Sequence, residues 1–145
     1  LAHAERERDE LQAQLLRARS THQNAQAQAA QLRQYRGDYD ARFGARPQAG
    51  TTIEMLRVTQ GFVARLSHAV EQQERIVEHA AGQAAVAEVQ WREAELRVAS
   101  VRKLIERRMA EVRASADRAE QKAVDEFASR AAWAARMGAA PLRVA

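Results

Sequence analysis

No cysteine occurs in the chain, which excludes disulfides and thiolate-held metals and suits a reducing cytoplasm. Proline is present only twice, as Pro47 and Pro141. Because proline costs about 3 kcal/mol inside a helix, residues 1–46 and 48–140 are free to be helical. Aromatic residues are 5% of the chain, and much of its 46% hydrophobic share is alanine, which favours helix while adding little buried area. No run of about 20 apolar residues is present, so no segment is suited to span a membrane, and no signal peptide is visible. There is no glycine-rich phosphate loop and no nucleophile elbow. His3, His22, His68 and His79 lack the i, i+4 spacing of a helical metal pair. These absences argue against an enzyme and call for no cofactor and no metal.

What is present is periodic. Leu56, Val63, Val70, Val77, Ala84, Trp91, Val98, Ile105, Val112 and Ala119 recur every seven residues and are all apolar. Such a repeat holds one stripe of a helix against a partner helix, here over roughly 95 Å at about 1.5 Å per residue. Glycine and proline concentrate at Gly44, Pro47 and Gly50, which marks a turn, and Thr51 and Glu54 have capping-box spacing. The sequence therefore predicts an all-α, long antiparallel two-helix coiled coil, an α-hairpin with helix 2 longer than helix 1. Its parts are helix 1 over 1–43, a turn over 44–51, helix 2 over 52–137 and a flexible tail over 138–145. Gly138 and Pro141 are expected to end helix 2. The length, 145 residues, fits one domain, and a first residue other than Met suggests a fragment or trimmed chain.

Helix 1 carries the matching stripe at Leu1, Ala4, Arg8, Leu11, Leu15, Ala18, His22, Ala25, Ala29, Leu32, Arg36, Tyr39 and Phe43. Helix 2 adds Thr59, Leu66, Gln73, Ala80, Ala87, Ala94 and Val101. The expected register has facing numbers summing to about 95, which sets Val63 against Leu32, Leu66 against Ala29 and Ala80 against Leu15. Large residues then meet small ones, and His22 with Gln73 and Arg36 with Thr59 form polar layers that fix register. Leu1 would meet Ala94, leaving Val98, Ile105, Val112 and Ala119 as an overhang. That overhang is either a dimerisation seam or a surface for another protein.

The formal net charge is +4, with a basic cluster at Arg102, Lys103, Arg107, Arg108 and Arg113. Glu106 and Glu111 interleave with it and no aromatic platform lies nearby, so a protein partner is expected here and no nucleic acid. Alternating charges such as Glu71, Glu74, Arg75 and Glu78 read as a solvated face.

Three segments, LRQYRGDY (32–39), FVARLSHAVEQQ (62–73) and EQKAVDEFASR (120–130), together with the step at Trp91, Arg92 and Glu93, closely resemble the flagellar FliJ family. The resemblance covers nearly the whole chain, and family members begin somewhat earlier. It implies a non-enzymatic, stalk-like component of the flagellar type III export apparatus, cytoplasmic and peripheral to the inner-membrane export gate, and a monomer when free. The implied partners are the export ATPase FliI, whose ring it enters and stimulates, the export gate FlhA, and further FliH and substrate chaperones. The family's gate-contacting surface maps onto Gln28, Leu32, Tyr35, Tyr39, Phe62, Leu66, Ala69 and Gln73. The stalk analogy puts the ATPase against Leu11, Leu15, Val98, Ile105, Val112, Phe127 and Arg130. Other readings are a homodimeric structural coiled coil and a stalk homologue of a virulence type III secretion system.

Overall fold

The computed structural model describes residues 1–43 and 52–139. Two helices account for nearly all of them, α1 (Ala2–Phe43) and α2 (Ile53–Ala139). Each has a carboxylate in its first turn, Glu5 or Glu54, and a guanidinium in its last, Arg42 or Arg136, which complements the helix dipole. The Met55 backbone N–H donates to Thr52 Oγ1 at 3.2 Å, and that of Leu56 to the Thr52 carbonyl at 3.1 Å. Thr52 is therefore the N-cap of α2. Thr51, expected as the cap, lies outside the described residues, as do the expected turn at 44–51 and Pro141. Gly138, expected to end α2, stands in its last turn, one residue before the helix end at Ala139.

The chain divides into two units, Leu1–Val98 and a second from Ala99 onward. In the first, α1 packs antiparallel on the early part of α2 as the stripe predicts. Leu15, Ala25 and Ala29 of α1 are buried with Leu66, Val70, Ala80, Ala87, Ala94 and Val98 of α2, and every one of them is a stripe position. Alanine dominates this list, so the seam is thin. The indole N–H of Trp91 is buried in it without an acceptor among the described residues.

The register differs from expectation by one heptad. Where Leu32 was expected opposite Val63, the Tyr39 and Phe62 rings lie 4.8 Å apart. Arg8 pairs with Glu95 at 3.5 Å, Arg33 with Glu74 at 3.1 Å and Arg97 with Glu7 at 3.5 Å. Gln73 is not layered with His22: its Nε2 donates to the Ala25 carbonyl at 3.1 Å and to Gln28 Oε1 at 3.2 Å. The paired stretch accordingly reaches Val98, 1% exposed, while Leu56 is 41% exposed. A repeat of seven cannot choose between registers seven apart, because each slip lays the same stripe on itself. The buried Gln73 amide makes the choice, since leaving it unpaired costs about 1–3 kcal/mol. Exposed ion pairs add about 0–1 kcal/mol each.

Gly82 stands in the middle of α2, and a Cβ there meets nothing within 4 Å. Gly82→Ala should therefore stabilise the first unit by about 0.5–1 kcal/mol. Urea titration should show a raised midpoint with an unchanged slope. The second unit is helical from Ala99 to Ala139, and each of its residues from 102 to 138 is exposed.

Candidate functional site

One flank of the hairpin seam in the first unit is edged with aromatic rings. Tyr39 occupies a stripe position of α1, and its ring lies 4.8 Å from those of both Phe43 and Phe62. Tyr35, one turn earlier, is 61% exposed. Two open grooves share Tyr35 and Asp38. The larger, about 560 Å³, is lined by Gln28, Leu32 and Tyr35 of α1 and by Gln73 of α2. The smaller, about 300 Å³, is lined by Tyr35, Tyr39, Phe43 and Phe62. Residues from both helices thus form one continuous face, because helical steps of three and four keep Gln28, Leu32, Tyr35 and Tyr39 in one line.

Six of the eight residues assigned to this face from the sequence line these grooves: Gln28, Leu32, Tyr35, Tyr39, Phe62 and Gln73. Leu66 is buried and Ala69 is half-buried, so Leu66 supports the face from beneath. Gln73 is also buried, 9% exposed, and holds Gln28 in place through its amide. Gln31, Gln34, Asp38, Arg42 and Phe43 complete the lining and were not anticipated. The signal for Gln31, Asp38 and Arg42 is present as a second line of three- and four-residue steps beside Tyr35. The rings are apolar edges on a polar floor of glutamines, the composition of a protein-recognition surface rather than of a reaction centre.

The second set does not form one surface. Leu15 and Val98 are buried in the first unit and Leu11 is half-buried there. Leu11 and Leu15 are seam positions as expected, whereas Val98, expected in the free overhang, is covered because the register is one heptad further along. Ile105, Val112, Phe127 and Arg130 belong to the second unit and are exposed. With them Leu104, Met109, Val124, Trp133 and Met137 expose large apolar side chains. Ile105, Met109, Val112, Ala116, Ala119 and Ala123 follow steps of four and three, one clean stripe. Arg107, Arg108 and Arg113 flank it with Glu106, Glu111 and Glu120.

An antiparallel two-helix coiled coil with a groove-bearing flank and a bare helical stripe is a binding scaffold. Among its described residues no group of three or more His, Asp or Glu is placed to hold a metal ion, and no helix is long and apolar enough to cross a membrane. The sequence model of the flagellar FliJ protein family matches residues 1–137. The chain belongs to that family, and is thereby a component of the flagellar export apparatus, in a family of structural export proteins rather than enzymes. No curated protein and no solved structure matches the chain.

Proposed function

We propose that the chain is the non-enzymatic stalk and adaptor of the export apparatus. It binds and stimulates the export ATPase FliI through the second unit, contacts the cytoplasmic domain of the export gate FlhA through the aromatic face, and assists FliH and the export chaperones. It acts in the cytoplasm, held at the inner membrane only through the gate. The observation that carries this reading is the change along the heptad stripe: buried or half-buried from Val63 to Val98, and exposed from Ile105 through Val112. A stripe of Ile, Met and Val left in water is unfavourable by about 25 cal/mol per Å² and marks an interaction surface.

Self-pairing fits this stripe poorly. In an antiparallel pair that layers Val112 on Ala116 and Met109 on Ala119, Arg108 of one copy meets Lys122 of the other; in a parallel pair Arg108 meets Arg113. Like charges across a seam are a device against association. A different protein is the better occupant, and the free chain is a monomer. Ile105→Asp and Val112→Asp should each lower the stimulation of FliI at a fixed chain concentration by about tenfold, the effect of losing one buried anchor, and spare binding to the gate. Stimulation unchanged by both substitutions would remove the second unit from the ATPase contact.

A further inference from the structure

The register that the sequence favours and the register that the structure adopts are both complete pairings of the same stripe. In the adopted one, α1 lies against residues from Thr59 to Val98, and Ile53, Met55, Leu56 and Val58 stand exposed at the start of α2. One heptad tighter, α1 would lie against residues from Leu56 to Ala94, and Val98 would be uncovered. All of α1 is paired in both. Leu56 gains cover where Val98 loses it, so one large apolar side chain is exchanged for another.

The layers also exchange one acceptable set for another. The adopted register sets Val70 opposite Leu32 and Ala87 opposite Leu15. The tighter one sets Val70 opposite Ala25 and Ala80 opposite Leu15. Arg36 lies against Leu66 in the first and Thr59 in the second, which favours the second. Gln73 favours the first, through the Ala25 carbonyl and Gln28, and so do Arg33 with Glu74 and Arg97 with Glu7. Arg8 can exchange Glu95 for Glu88.

We propose that the hairpin is a two-register switch, in which α1 slides along α2 by one heptad, about 10.5 Å, between the adopted pairing and the tighter one. Packed helices move between discrete arrangements of this kind because intermediate slips misalign every layer. The slide changes two surfaces together. It separates Tyr39 from Phe62, so the aromatic face exists in its observed form only in the adopted register. It also uncovers Val98 at the end of the first unit. A protein that binds the aromatic face therefore holds Val98 covered, and one that binds Val98 disassembles the face. Two sites that bias one equilibrium in opposite directions are negatively coupled. The assignment of partners to those two sites rests on the proposed function, whereas the slide itself does not.

The chain has no cysteine, so engineered thiol pairs report register directly in the full-length protein. Ala25→Cys with Val77→Cys closes in the adopted register, and Ala18→Cys with Val77→Cys in the tighter one. Leu11→Cys with Val77→Cys, two heptads tighter, leaves no residues for a turn and is the background. Under equilibrating thiol exchange the first pair should close most and the second well above background. Adding Val98→Asp, which favours uncovering that position, should raise closure of the second pair relative to the first by about tenfold. Gln73→Leu should shift it the same way by about fivefold. Closure of the Ala18 pair at background level, with or without Val98→Asp, overturns the switch. None of these readouts involves FliI or the gate, so they leave the proposed function to its own test.

Discussion

Val70→Asp is expected to abolish the hairpin of the first unit, lowering its unfolding free energy by about 4 kcal/mol or more. Val70 is 1% exposed and lies mid-seam in either register, so a carboxylate placed there would be buried. The matched control is Val112→Asp, six heptads along the same stripe, where the side chain is 64% exposed. There the change should stay within about 0.5 kcal/mol, as for other surface substitutions. Urea unfolding followed by circular dichroism separates the two. Similar costs at both positions would mean that the second unit has a packed partner within the chain.

The second large effect falls on the gate. Tyr35→Ala and Phe62→Ala should each weaken binding to the FlhA cytoplasmic domain by about tenfold or more, since rings that line a surface groove are the usual anchors of an interface. Their combined effect should fall short of the sum of the single losses, because Tyr35 and Phe62 line the same groove and share contacts there. Stability should change little for Tyr35→Ala, where the ring is exposed. Phe62→Ala also loses the ring contact with Tyr39, worth about 0.5–1.5 kcal/mol. Binding titrations with each variant and the double variant decide the matter.

Much of this fold is legible before any coordinates. The near absence of proline confines the break to the neighbourhood of Pro47, and the seven-residue stripe names the buried positions of both helices almost without error. Which position faces which is not legible from the stripe, because it is degenerate under heptad slips. The register is set by features off the apolar pattern: the Gln73 amide reaching the Ala25 carbonyl, Arg33 beside Glu74, Tyr39 beside Phe62. That single shift moved Val98 from the expected free stripe into the core and left Leu56 outside it. The helix-turn spacing of the aromatic face is legible within each helix, but the alignment of Tyr39 with Phe62 across the seam belongs to the adopted register. Its outer lining is Gln31, Gln34, Asp38, Arg42 and Phe43, of which Gln31, Asp38 and Arg42 follow the α1 spacing beside Tyr35.

The central claim is that two separate surfaces serve two partners, the aromatic face of the first unit for the gate and the exposed stripe of the second for the ATPase. The most direct test is ATP hydrolysis by FliI titrated with the Tyr35→Ala, Phe62→Ala double variant of the full chain. Stimulation at the wild-type level, by a chain that no longer binds the gate domain, is the predicted result. Loss of stimulation in parallel with loss of gate binding would contradict it.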